Sequence, residues 1–239
     1  MPKISGFWRK QLRDEVSELW RGAPIMRAIA DPTYAIYHVA NFEEYDTTDL
    51  WTLTNATAGT GAVSTAEPGT FLLDSNSTTD TQGAQLQRTG GAFFVPAAGK
   101  DIWFEARIKV VDTIAKAQVF VGLANVDTTI IASSLMSATD ILAFYSVSED
   151  GVLLFAGEKG GVAATETGPT LVEDTYVNLG FRTKGITTAQ MYVNGVKYGD
   201  PIATTSVPIL KLVPSFVCQT AGTNDPIMHI QGYRVLQLR

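Results

Sequence analysis

The residues best equipped for chemistry are few and scattered. Carboxylates gather at Glu43, Glu44 and Asp46 in "NFEEYD" and at Glu149 and Asp150 in "SED". Glycoside hydrolysis needs two carboxyl groups flanking one bond. The first cluster precedes the strand-rich region and the second stands before Gly151 in a turn, so neither projects two carboxylates from one strand face. His38 and His229 are too few for a three-histidine zinc site, and each sits beside apolar strand residues where a hydrogen-bonded structural role is expected. Cys218, the single cysteine, lies in "PSFVCQT", an apolar strand where a small buried hydrophobe is expected and not a nucleophile. It leaves no disulfide and no Cys-rich metal site. Asp127 in "NVDTT" and Asp225 in "TNDP" could each lend an oxygen to calcium, but turn chemistry accounts for both. "EKGGVAATETGP" lacks Walker spacing and reads as a flexible loop. No catalytic residue, metal or cofactor is assigned.

The elements that must position any site are strands. In Asp101–Val110, "DIWFEARIKV", residues Ile102, Phe104, Ala106, Ile108 and Val110 face one way, while Trp103, Glu105, Arg107 and Lys109 face water. Further strands are predicted at 118–125, 141–147, 152–159, 176–182, 188–194, 212–219 and 227–238. Weaker ones fall at 34–39, 51–55, 70–74 and 82–89. More than ten antiparallel strands in one domain suit a double-sheet sandwich. "MYVNGVKYGD" (191–200) holds Asn194-Gly195 between β-formers, which predicts a type I′ hairpin corner.

The first 45 residues differ from the rest. Residues 1–30 carry six basic and three acidic side chains, a balance of +3, so the remainder carries −9 to reach the chain's −6. An acidic body excludes a general nucleic-acid binder. No stretch approaches the ~20 apolar residues of a membrane span, and the N-terminus lacks the apolar core of a secretory signal. Over Ser5–Gly22 the spacing predicts an amphipathic helix, with Ser5 as N-cap and Gly22–Pro24 as the stop. Its stripe is Phe7, Trp8, Leu12, Val16, Leu19 and Trp20, flanked by Arg9, Lys10 and Arg13. A helix of this length is marginal alone in water, so the stripe must dock, on the chain's own body or on another subunit. Residues 23–45 are expected to be semi-extended, with Pro24 and Pro32 keeping helix out.

The strand order, with "VFVGLAN", "EDGVLLFA", "YVNLGFR" and "MYVNGVKYG", resembles the concanavalin A-like (laminin-G/pentraxin/glucanase) jelly-roll sandwich over residues 46–239. "FEARIKV", "VEDTYVNLGF" and a closing "QLR" are similar to tailed-bacteriophage virion proteins of this fold. The glucanase branch carries Glu-x-Asp-x-x-Glu on one strand; that motif is absent here, so the chain is read as non-enzymatic. The resemblance implies an all-β, two-sheet antiparallel jelly roll (46–239) behind an N-terminal helix and extended arm (1–45). It further implies a capsid decoration or cement protein, made in the host cytoplasm and displayed on the virion. Its partners would be the major capsid protein and sister subunits of a homotrimer, held through Phe7, Trp8, Arg9, Lys10, Leu12, Arg13, Val16, Leu19 and Trp20. No nucleic acid and no membrane are expected as partners. The alternative is a carbohydrate-binding module for host-surface attachment, with Trp103 on the outer strand face as the candidate glycan platform. The body is expected to fold without the arm, so circular dichroism of residues 46–239 should show β structure and almost no helix.

Overall fold

A computed structural model describes residues 17–43, 45, 50–91, 93–112, 114–132, 135–146 and 150–239. In chain order the strands are β1 (Ala35–Ala40), β2 (Thr52–Ala56), β3 (Thr60–Val63), β4 (Phe71–Asp74), β5 (Gly83–Gln87) and β6 (Ile102–Val111). Then come β7 (Ala117–Ala124), β8 (Ile131–Ala132), β9 (Leu135–Met136), β10 (Ile141–Ser146), β11 (Val152–Lys159) and β12 (Val162–Thr170). The last six are β13 (Val177–Lys184), β14 (Thr188–Val193), β15 (Val196–Lys197), β16 (Ile202–Ala203), β17 (Val213–Thr220) and β18 (Ile227–Leu238). One sheet runs β15-β14-β13-β6-β18-β4-β3, with β1 added beside β18 and β16 beside β14. The other runs β12-β11-β10-β7-β17-β5-β2. All the pairings are antiparallel.

The alternation of β6 does what its spacing requires. Ile102, Phe104, Ala106, Ile108 and Val110 enter the core between the sheets. Aromatic rings bridge the sheets: Phe104 stacks on Phe181 at 5.0 Å, Phe181 meets Phe155 at 5.7 Å, and Phe155 meets Phe144 at 5.0 Å. Such offset and tilted pairs add attraction beyond the area they bury. The predicted corner is present, with φ of 50° at Asn194 and 78° at Gly195 between the paired Val193 and Val196. Cys218 is fully buried, as its apolar strand suggested.

Several expectations need correction. "GGVAATETG" is not a loop: Gly160 and Gly161, both at positive φ, turn β11 into β12 as a second tight hairpin. Because β12 is an edge strand with one face largely in solvent, it lacks the apolar alternation that would have announced it. Residues 23–45 contain a helix, α1 (Ile25–Ala30), with Pro24 at its N-cap, where a missing N–H costs nothing. Residues 5–16 of the predicted amphipathic helix lie outside the described residues, and Glu18–Trp20 form a single 3-10 turn. The arm is also woven into the sandwich. β1 pairs with β18 from Ala35–Leu238 to Ala40–Tyr233, and Phe42 sits in the core against Trp51, Phe71 and Tyr233.

Both outer faces are covered in part. On the β7–β10–β17 side, segment 125–140 lays Ile130, Ile131 and Ala138 over Phe120, Ile141, Ala143 and Val217. Gln85 and Gln87 hold that segment: Gln85 accepts from Ile130 N–H at 2.9 Å and Gln87 from Asp127 N–H at 3.0 Å. On the β6–β18 side, Leu19, Trp20 and Ala28 cover Trp103 and Leu236. Trp103 is therefore 2% exposed and no platform for a ligand, because sequence-distant residues close over the face that alternation assigned to water. Gly180 in β13 makes room for this contact, since a Cβ there would stand 2.4 Å from Leu19 Cδ2. Truncation of Trp20 to alanine should lower unfolding free energy by about 3 kcal/mol, the usual cost for a buried large aromatic, as read by urea denaturation of the full chain.

Candidate functional site

Between the docked arm and the β1 edge, the outer face of the β13–β6–β18 region is left open as a trough. Two adjoining depressions, of about 320 and 730 Å³, share Glu105, Asn178 and Arg234. Glu105 is the floor. It comes from β6, is only 8% exposed, and accepts Trp20 Nε1–H at 2.9 Å and Arg234 Nε–H and Nη2–H at 2.9 and 2.6 Å. Arg234 also lies over the Trp20 ring, 4.3 Å from its centroid. A carboxyl group so held is paired and fixed in place.

A β-bulge shapes the rest. In β18 the register passes from Ile230–Ile108 to Gly232–Arg107, leaving Gln231 without a partner residue. Core positions shift phase across it, from Met228 and Ile230 to Tyr233 and Val235, so the bulge turns Arg234 outward onto the same face as Gln231. There Gln231 accepts Arg107 Nε–H at 2.5 Å, while Arg107 Nη1 reaches Asn178 Oδ1 at 3.4 Å. A guanidinium has five N–H donors, so three remain for a ligand. Arg107 makes no ion pair among the described residues.

The Asn194-Gly195 corner is structural, and it is also a wall. Asn194 and Asn178 bind reciprocally, backbone N–H to backbone O at 2.8 Å and Asn178 N–H to Asn194 Oδ1 at 2.9 Å. Lys197 N–H donates to Glu18 Oε2 at 2.9 Å, tying the corner to the arm. Exposed Val39 and Val196 give the trough apolar patches at opposite sides, and no exposed aromatic ring lines it. Recognition there must run through Arg107, Asn178, Gln231 and Asn194, with aliphatic contact alongside.

Of the sequence-assigned partner residues, Leu19 and Trp20 are packed on the chain's own sheet; Phe7, Trp8, Arg9, Lys10, Leu12, Arg13 and Val16 lie outside the described residues. The histidines differ. His229 Nδ1 meets Glu67 Oε2 at 3.3 Å, whereas half-buried His38 stacks on Tyr233 and its buried Nδ1 finds no partner. Asp127 serves a turn, accepting from Thr129 N–H, while Asp225 ties its loop to a distant one by accepting from Ser77 N–H and Ser75 O–H. Sequence reasoning missed Arg107, Asn178, Gln231 and Arg234 as a group. Gly232 and the phase change in β18 were the available signal.

No protein-family model matches the sequence, and no curated protein matches it. Solved structures do share the fold. An endo-1,3-beta-glucanase from Streptomyces sioyaensis has TM-score 0.56 and 12% identity over 87% of this chain and 98% of its own. Arcelin-5, a lectin-like defense protein from Phaseolus vulgaris, has TM-score 0.58 and 10% identity over 86% and 100%. A protein of unknown function from Shewanella oneidensis MR-1 has TM-score 0.58 and 13% identity over 100% and 96%. The chain is a concanavalin A-like jelly-roll sandwich.

The expectation of a non-enzyme is overturned here, because glycoside hydrolases are among the structures that share the architecture. The search for two carboxylates on one strand was also too narrow. Asp140 precedes β10 while Glu158 ends β11 opposite Ile141, and burial followed by the Asp140 charge pushes Glu158 above the usual carboxylate range.

A polar cluster closes the far end of the trough's face. Glu67 accepts from Tyr176 O–H and from Lys109 Nζ at 3.0 Å; Lys109 also reaches Asp174 at 3.0 Å. The Tyr176 hydrogen bond, then that from Lys109, holds Glu67 down to about 2. Its folded pKa lies below the unfolded one, so its contribution is present above about 4.5 and is lost as pH falls toward about 2. Glu67→Gln should lower stability near pH 7 by roughly 1 kcal/mol, discounted for partial exposure. The gap to wild type should close between those pH values in thermal melts.

Proposed function

We propose that the chain is a carbohydrate-binding protein and that the trough over Glu105 is its glycan site. One observation carries the reading: an open depression on a sandwich sheet gathers Arg107, Asn178, Gln231 and Asn194, all with polar atoms suited to sugar hydroxyls, between the aliphatic walls Val39 and Val196. Glucanases and a lectin-like protein among the structural neighbours support it. Of the nine arm residues assigned to capsid attachment, Leu19 and Trp20 are occupied within the chain's own fold, and the other seven lie outside the described residues.

The trough can bind without conformational work. Arg107 is aligned before any ligand arrives by Gln231 and Asn178, and Glu105 keeps Arg234 in place, so little side-chain freedom is lost on binding. A second reading, hydrolysis, is favoured by Asp140 and Glu158: a carboxyl raised by burial and by the charge of a second carboxyl nearby is the kind of pairing that acid-assisted glycoside cleavage uses.

Titration calorimetry against neutral and acidic oligosaccharides, with reducing-end release followed in the same samples, tests both. Binding should fall roughly tenfold in Arg107→Ala, the loss of one charged hydrogen-bonding group. Any turnover should vanish in Glu158→Gln. Absence of binding by the wild type across both panels would refute the trough reading.

A further inference from the structure

On the other side of segment 39–41 from the trough lies a third cavity, of about 570 Å³, lined among others by His38, Asn41, Trp51 and Arg88. Arg88 follows β5 and is 9% exposed. Its Nε and Nη1 are buried without a hydrogen-bond partner. It makes no ion pair among the described residues. Beside it the Nδ1 of His38 and the hydroxyl of Tyr233 are also buried and unpartnered. An uncompensated buried cation is costly, and arginine cannot shed its proton to escape that cost. Surplus donors converge at one place, and there is room for a small molecule.

We infer that this cavity is an oxyanion site in which Arg88 receives the carboxylate or phosphate of a small ligand, with His38 beside it. The planar guanidinium presents two N–H groups side by side along either edge, Nε with Nη2 or Nη1 with Nη2, that match two oxygens of either group. His38 is kept neutral, held down to about 4 by burial and then by the Arg88 charge, so it can offer a ring N–H or an acceptor without adding a second cation. The described carboxylate of the lining, Glu43, is exposed, and its Cγ lies beside Gly69. The site is separate from the glycan trough and does not rest on it.

Thermal melts and titration calorimetry of the full chain test this, using inorganic phosphate, acetate, glucuronate and glucose 6-phosphate, with glucose and chloride as controls. Oxyanions should raise Tm by roughly 5 °C near saturation, and the controls should not. A shift with glucuronate and acetate alone identifies a carboxylate ligand; one with phosphate and glucose 6-phosphate alone identifies a phosphate. Arg88→Gln should abolish the shift and raise the melting temperature of the ligand-free chain, whereas a merely structural arginine would lower it. Should that variant fail to fold, Arg88→Lys should fold and bind at least tenfold more weakly. No shift with any oxyanion in the wild type, or an unchanged shift in Arg88→Lys, overturns the inference.

Discussion

A single buried carboxylate organises the outer face of this sandwich. Glu105 stands on a central strand where alternation points it away from the core, yet it is almost fully enclosed. Arg234 on the neighbouring strand and the indole of Trp20 both donate to it. Removing either partner from a buried charge costs far more than an ordinary hydrogen bond. The arm's position therefore depends on Glu105 as well as on the apolar contact of Leu19 and Trp20 with Trp103 and Leu236. Among the described residues, the trough beside the arm lies open.

The two outer faces show two solutions to one problem. A sandwich needs its inner faces apolar, and its outer faces can be solvated. Here the β7–β10–β17 face is covered by its own connecting segment, fixed by glutamines, and its apolar cluster is buried. The β6–β18 face is closed only at one end. What remains is polar and held in place by neighbours, and its wall is a hairpin whose corner residues also anchor the arm through Lys197 and Glu18. A Cβ at Gly195 would lie 2.6 Å from Ser17 Cβ, so that glycine serves arm docking as well as turn geometry.

Much of the fold was legible in the sequence because strand alternation and Asn-Gly chemistry are local. β6, β11, β18 and the corner at Asn194 fall where period two and turn residues put them. What could not be read depends on residues far apart in the chain. Trp103 looks exposed until Leu19 and Trp20, more than eighty positions away, close over it. β12 carries no core alternation because it is an edge strand. The trough arises from a bulge at Gln231 that a uniform alternation hides, and from pairings such as Glu105 with Arg234 that only the sheet order creates. The acid pair Asp140 and Glu158 was missed for the same reason, since one stands just before β10 and the other on β11.

The central claim is that sugars enter the trough over Glu105. Side-chain amide NMR of the full chain measures this most directly, with Asn178, Asn194 and Gln231 assigned and followed during titration with the tightest-binding oligosaccharide. Progressive shifts are expected in those three amides, while Gln85 and Gln87 under the opposite face stay still. Shifts confined to Gln85 and Gln87, with the trough amides unmoved, would contradict the claim.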